Sequence, residues 1–523
     1  MNDLPALVVA LPLLGSIAVL LAGLVRPRTG WPITAVTALA QVVAVGALAT
    51  GAFGDEPIRY VVGGFTAPFG IELVVDGLSA SMALLVAVVS LGVLAYARTA
   101  GPRSNPFYAT YLLLVGGLTG MSITGDVFNM YVFLEITGLT AYALVASGEG
   151  GRSALAALKY LLVGTVGASL FLLGIGYAYV ATGTLNMHDL SNQLAADPAG
   201  YQDPLVQAAF GLLVVGLFVK VAVFPVHTWQ PTAYAGAPDS VSAFISALVS
   251  TVAAYALIRI VFTVFTVDFL AANGLARTVL VVAAVVSIVV GSVLAVTQTE
   301  IKRMLAYSSV SQFGLVLAAI AVANGTALTG AAIHLVGHAI MKGGLFLTSG
   351  LIATETGARS IDGYDGLAER LPAGAGAFGV LALAMVGVPP AVGFVGKWYV
   401  ALGAVEAEAW PLAVVIFAST LLTLAYFARI VERMYFREAS EADANVEPTG
   451  AESGTRTAVA TDGTGPTGDE TDSSPAGDAL AAARVSFGMR ATVVGAAVLA
   501  IVLGVAAFQY GQLLEPTIER LLS

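Results

Sequence analysis

Six ionisable side chains stand inside stretches of sequence that are otherwise apolar: Glu135, Lys220, His334, His338, Lys342 and Lys397. A charge in such a place is costly in a membrane and by default marks an ion or proton pathway. Glu135 lies in Phe128-Asn129-Met130-Tyr131-Val132-Phe133-Leu134-Glu135, near the middle of one apolar span with apolar neighbours on all sides. Lys220 precedes Pro225 by five residues, and Lys397 follows Pro389-Pro390 by seven. Proline breaks a helix and frees a backbone carbonyl, so each lysine belongs to a broken helix of the kind that builds ion sites in transporters. A buried lysine is expensive unless paired, and Glu135 is the obvious partner of Lys220. The plain alternatives are a static ion pair for Glu135 and Lys220, and a surface-seeking side chain for Lys397.

His334, His338 and Lys342 recur every fourth residue and share one helical face. Imidazole titrates near neutral pH, so the row reads as a relay between the two lysine sites. A hydrogen-bonded core histidine is the other reading of His334. Ser242, Ser246 and Ser250 form a second stripe at the same spacing, which either holds water or packs helices closely. Lys302 opens another span and reads as an anchor at the membrane surface. Asp126 has the position of a helix N-cap. His227 and Asp239 flank a loop and carry no assignment.

The elements that position these groups follow from composition. The 523 residues are 58% hydrophobic and 11% charged, whereas a soluble chain carries about 25% charged residues. So few charges cannot clothe a water-facing surface of this size, and lipid must cover most of it. About fourteen spans of the length a bilayer needs fall near 4–25, 32–53, 78–97, 107–124, 127–147, 155–182, 205–227, 239–265, 276–297, 304–323, 327–352, 374–400, 410–433 and 488–510. The expected fold is an all-α integral membrane protein with about 14 transmembrane helices.

Placing the N-terminus outside puts Arg26, Arg28, Arg98, Arg103, Arg152, Lys302, Arg303, Arg429, Arg433 and Arg437 inside, as the positive-inside rule requires. Both termini are then outside. Residues 436–486 hold most of the net charge of −10 and are rich in Gly, Thr, Ser, Asp, Glu and Pro, which reads as a disordered cytoplasmic loop. The organisation is therefore helices 1–3 over 1–104, a core over 105–435, the loop over 436–486 and a last helix over 487–523. The chain has no cysteine, no zinc motif, no nucleotide motif and no redox ligand set, so no cofactor is expected. The acidic balance argues against a nucleic-acid partner.

The stretches Gly125-Asp126-Val127-Phe128-Asn129 through Glu135, Lys220 through Trp229-Gln230-Pro231, Lys302 through Gln312, His338 through Lys342, and Gly387 through Lys397 occur in this order over roughly residues 105 to 400. Together they resemble the antiporter-like membrane subunits shared by Mrp-type Na+/H+ antiporters and respiratory complex I. Phe128-Asn129 ahead of the glutamate looks most like the D-type member of the Mrp antiporter subunits. The resemblance implies fourteen helices with two inverted five-helix repeats, TM4–8 and TM9–13, broken in TM7 and TM12. It implies proton transfer by Glu135, Lys220, His338 and Lys397, with Glu135 modulating Lys220 and the proton passing along the axis to Lys397. One departure stands out. The family commonly carries a lysine where this chain has Thr251. Either the serine stripe and water carry the path there, or the path is cut.

The expected function is a subunit of a multisubunit Na+/H+ antiporter in the cell membrane, with other membrane subunits as partners and protons and sodium as substrates. With no catalytic site of its own, the chain would draw on an existing gradient or on redox chemistry in partners. The rival readings are the pump module of a complex I-like quinone oxidoreductase or membrane-bound hydrogenase, a membrane subunit of inorganic-carbon uptake, and a membrane scaffold.

Overall fold

The computed structural model describes residues 3–54, 56–196, 198–438 and 485–523. The expected acidic loop therefore lies, over 439–484, outside the described residues. Almost everything else is helix: α1 (Leu4–Val25), α2 (Gly30–Ala49), α3 (Gly77–Ala100), α4 (Asn105–Ile123), α5 (Val127–Ala146), α6 (Gly151–Thr182), the short α7 (Met187–Ala196), α8 (Pro204–Val221), α9 (Trp229–Gly236), α10 (Asp239–Arg259), α11 (Thr266–Ala272), α12 (Gly274–Val296), α13 (Ile301–Val322), α14 (Gly325–Thr356), α15 (Leu367–Arg370), α16 (Pro372–Val386), α17 (Val392–Glu406), α18 (Trp410–Phe436) and α19 (Phe487–Leu522). Among the described residues, thirteen helices are long and apolar enough to cross a membrane, counting the continuous stretch from Asp239 to Ala272 as one. The expected twelfth span is the exception. It consists of two shorter helices, α16 and α17, meeting at Pro389-Pro390. The chain is a multi-pass integral membrane protein.

Helix starts follow from their caps. Asp76 accepts from the backbone N–H groups of Leu78 and Ser79, while Ser79 returns a bond to the Asp76 N–H and closes a capping box. Asp126 accepts from Asn129 N at 2.7 Å, as its position before the fifth span predicts. The connection between α2 and α3 carries a two-stranded antiparallel hairpin, β1 (Ile58–Val61) and β2 (Glu72–Val75), with Ile58 opposite Val75 and Val61 opposite Glu72.

Helices at the two flanks keep most of their apolar surface uncovered, α1 and α19 among them, whereas α10, α13 and α14 are enclosed almost throughout. Leu21, Leu24, Val36, Leu162, Val166, Val414 and Leu421 are exposed. A face of this composition belongs against lipid or a neighbouring chain.

Two five-helix units repeat one packing order. In the first, α4 lies on α5, α5 on α6, and α6 on α8. In the second, α12 lies on α13, α13 on α14, and α14 on α17. They enter the bundle from opposite ends. The end of α4 at Thr124 adjoins the hairpin, whereas it is the start of α12, at Asn273, that meets the same side through Tyr201 O and Gln207. The repeats are thus inverted. Helices α10 and α14 pack together and join the two units. The start of α3 meets the end of α19, where Gly77 N donates to Thr517 Oγ1 at 3.2 Å. Because α1 also packs on β2 beside the start of α3, both chain termini lie at one end of the bundle.

Candidate functional site

Proline and a left-handed residue shape both breaks. Helix α8 stops at Ala222 (φ 68°) before Pro225, and α16 stops at Gly387 (φ 97°) before Pro389. Each break frees carbonyl oxygens inside the bundle. In the first, the Trp229 indole donates to Val219 O at 2.8 Å, and Ser250 Oγ donates to Lys220 O at 3.4 Å. In the second, a lysine does this: Lys397 Nζ donates to Met385 O at 2.7 Å and to Val386 O at 3.1 Å. A cation at a helix C-terminus also meets the negative end of the helix dipole. The two lysines therefore echo each other in chemistry but not in position. Lys220 closes the helix before its break, and Lys397 follows its own.

Lys220 Nζ lies 3.6 Å from Glu135 Oε1 and donates to Tyr142 OH at 3.3 Å. The pairing expected from sequence is present. Glu135 has apolar chain neighbours, as expected, but its side chain is 25% exposed. The cause is the place of α5 at a flank, where Phe128 and Leu139 are exposed as well. Gly138 permits the approach, since a Cβ there would stand 3.1 Å from Lys220 Nζ.

His334, His338 and Lys342 line one face of α14 and are buried, as the spacing predicts. The rings of His334 and His338 are 6.2 Å apart, and His338 lies 4.6 Å from the Phe313 ring. No ring nitrogen of either histidine finds a protein partner among the described residues, and the same holds for the Thr251 hydroxyl. Lys342 Nζ donates to Leu305 O at 2.8 Å and to Ser308 Oγ. Helix α17 seats against this row so closely that a Cβ on Gly396 would stand 2.9 Å from His334 Cα.

The anchor expected at Lys302 is a buried ion pair instead. Its ammonium group is 2.5 Å from Asp239 Oδ1, 2.8 Å from Ala237 O and 3.0 Å from Ser242 Oγ. Asp239 also meets Arg359 at 3.3 Å. The segment between the seventh and eighth spans folds over the start of α13, which a count of residues from the span end does not foresee. Of the serine stripe, Ser246 turns back to Ala243 O, whereas Ser242 and Ser250 join polar clusters. Ser250 receives a bond from Gln230 Nε2 at 3.3 Å and lies 3.4 Å from Tyr234 OH. His227 stacks on Phe224 beside Tyr307 and adds no link to this set.

Four of the five lysines in the chain are therefore enclosed: Lys220 (5% exposed), Lys302 (7%), Lys342 (0%) and Lys397 (6%). Lysine is among the residues least often buried, and two of these four hold only neutral oxygens. A second buried pair escaped the sequence reading. Arg259 Nη2 lies 2.5 Å from Asp76 Oδ1, and Arg259 Nε donates to Tyr255 OH at 2.9 Å. Its signal was an arginine inside the apolar run of the eighth span. Among the described residues, no group of three or more His, Cys, Asp or Glu residues is arranged to hold a metal.

Residues 124–423 match the family model for the membrane part of NADH:quinone oxidoreductases and Mrp antiporters. The chain belongs to this family. Within it, the chain is 44% identical over 462 residues to NADH-quinone oxidoreductase subunit N of Desulforudis audaxviator strain MP104C, covering 86% of this chain and 90% of that one. It is 30% identical over 411 residues to the D-type member of the Na(+)/H(+) antiporter subunits of Bacillus subtilis strain 168, covering 78% and 82%. A chain in the structure of the Mrp complex from Dietzia sp. DQ12-45-1b superposes over the full length of both chains with a TM-score of 0.85 and 27% identity. The chain is thus an antiporter-like subunit of the kind found in Mrp and complex I-like multisubunit membrane assemblies. The expected resemblance is borne out by relatives of both names, an NADH-quinone oxidoreductase subunit and a D-type Mrp antiporter subunit.

Proposed function

We propose that this chain carries protons through its interior as one subunit of a multisubunit cation/proton antiporter of the cell membrane, with sodium as the exchanged cation. The observation that carries the reading is the enclosure of four of the five lysines, two of them without a carboxylate partner. A lysine whose partners are neutral oxygens has no fixed countercharge, so its charge state depends on what arrives beside it. That is the property of a proton carrier, and a scaffold gains nothing from it.

Each residue has a place in the path. Lys220 receives and releases the proton, and Glu135 sets how firmly it is held. His338, with His334 and Lys342, passes the proton along α14 between the two repeats. Lys397 takes it at the second break. The partnerless groups of Thr251 and the two histidines line this route, and buried polar groups of this sort are ordinarily met by water. Water there takes the place of the lysine that the family resemblance puts at the Thr251 position. Glu135, partly out of the bundle, needs a neighbour that is not lipid, and another subunit against α5 meets that need.

The test is sodium-dependent proton flux in everted vesicles of an antiporter-deficient host. The complete native gene cluster is compared with the same cluster carrying Lys220→Ala. Flux that appears with sodium and disappears in the variant is expected. An assembled cluster that moves no protons in response to sodium would overturn the antiporter reading. The alternative is then a redox-driven pump module, favoured by the 44% identity to a protein named as a subunit of NADH-quinone oxidoreductase.

A further inference from the structure

Helix α10 carries polar side chains along its whole length. Asp239, Ser242, Ser246 and Ser250 follow one another at intervals of three or four, and Thr251, Tyr255 and Arg259 continue at intervals of four. These are two stripes that meet at the Ser250–Thr251 step, on a helix enclosed from end to end. Each stripe ends at a cavity. One, of about 480 Å³, is lined by Asp239, Lys302, Glu300 and Arg359 at the end of the bundle where α10 begins. The other, of about 460 Å³, is lined by Asp76, Arg259, Tyr255, Glu72 and Thr263 at the end that holds both chain termini.

Each cavity has a buried carboxylate–cation pair in its wall, Asp239–Lys302 in the first and Asp76–Arg259 in the second. Between them lie separate polar contacts, with Ser246 turned back to Ala243 O. Lys302 reaches Ser242, Ser250 reaches the Lys220 carbonyl, and Arg259 reaches Tyr255, whose hydroxyl donates to Ser122 O at 2.6 Å. The Thr251 hydroxyl, between Ser250 and Tyr255, has no protein partner, and neither does Thr263 Oγ1 in the second cavity. Neither Asp76 nor Arg259 has a part in the relay through Lys397.

We propose that the Asp76–Arg259 pair is a proton gate, opening the first repeat to the compartment that faces both chain termini through the cavity over that pair. The inference rests on the proton-carrying role given to Lys220. A proton released by Lys220 passes through water along the Thr251–Tyr255 face of α10 to the Asp76 carboxylate. Protonation removes the charge that holds Arg259. The guanidinium then turns towards Glu72 on the cavity wall, where Arg59 already pairs with that carboxylate at 3.2 Å. The proton leaves Asp76 for water in the cavity, and the pair closes again. No bond other than O–H or N–H forms or breaks, and the proton lost by Lys220 is the proton gained by the cavity water.

A pair this deeply enclosed is suited to a gate. Its two partners are strongly held together when both are charged, and breaking the pair leaves a buried ion. A path without such a barrier would let protons run freely across the first repeat whenever the other cavity was open.

The absence of cysteine makes the test direct. Thr263→Cys, close in size to the native residue, is introduced into the complete gene cluster, and vesicles with the termini-bearing face outward are treated with a membrane-impermeant cationic methanethiosulfonate. The wild-type cluster receives the same treatment. Before treatment the variant is expected to transport as the wild type does. Modification should lower its sodium-dependent proton flux by about ten-fold or more, leaving the wild type unchanged. Complete modification with unchanged flux would overturn the gate, and so would a thiol that the reagent does not reach from that face. In either case Lys220→Ala still abolishes flux, so failure of the gate is distinguishable from failure of the transport reading. Asp76→Asn, measured alongside, should also lose flux where the complex assembles.

Discussion

Lys220 Nζ and Glu135 Oε1 stand 3.6 Å apart, yet the lysine side chain is 6% exposed and the glutamate side chain 25%, on the flank of α5. The two charges are therefore not equivalent. Removing the lysine takes a buried carrier out of the bundle. Removing the carboxylate's charge leaves the lysine with the Tyr142 hydroxyl.

This asymmetry gives the first prediction. Lys220→Ala abolishes proton flux, whereas Glu135→Gln lowers it by a factor of about 10 to 100 with the complex still assembled, the range expected when one partner in a proton transfer is weakened. Flux in both variants is read in everted vesicles, with complex quantity checked by native electrophoresis. Equal flux in Glu135→Gln and wild type would remove Glu135 from the path.

Lys302 and Asp239 form a pair whose side chains are 9% and 14% exposed. Asp239→Asn strands the ammonium group and is expected to destabilise the protein by about 3–5 kcal/mol, while Asp239→Asn combined with Lys302→Met recovers most of that loss. Thermal unfolding of the purified complex in detergent reads both. A double variant no more stable than the single one would mean that the two residues are not energetically coupled.

Lys397 holds the freed carbonyls of Met385 and Val386, so it does more than carry charge. Lys397→Ala is expected to abolish flux and also to loosen the junction of α16 and α17. Hydrogen exchange over residues 384–396 should rise in that variant. Unchanged protection there would show that the lysine does not brace the break.

Gly393 sits where a Cβ would run into Ala384 O, a backbone atom that cannot swing aside. Gly393→Ala is therefore expected to cost about 1–3 kcal/mol through forced displacement of α17, and the amount of assembled complex should fall. Gly376 is an internal comparison, since a Cβ there meets nothing within 4 Å and the same substitution should be tolerated.

Deleting residues 440–482 is expected to leave sodium-dependent flux unchanged, because none of the candidate proton-transfer residues falls among them. Loss of flux from a correctly assembled complex would assign the segment a role in transport.

The helical spans, the two proline breaks and the six ionisable side chains were legible in the sequence. They rest on local properties: apolar length, the missing N–H of proline, and the periodicity that puts His334, His338 and Lys342 on one face. The inversion of the two repeats was implied only by the family resemblance, since periodicity does not separate parallel from inverted repeats. The Glu135–Lys220 pairing was foreseen from sequence, but tertiary structure alone decided the other charge pairs. Lys302 reads as a surface anchor from its place at a span end, and it is buried because Ala237, Asp239 and Ser242 fold over it from a segment some 60 residues earlier. Asp76 and Arg259 are 183 residues apart and meet through the packing of α3 on α10. Glu135 looked central because its chain neighbours are apolar, but exposure is set by which helices lie beside α5. A sequence lists the groups that need partners in a low-dielectric interior; the arrangement of helices determines which of them are supplied.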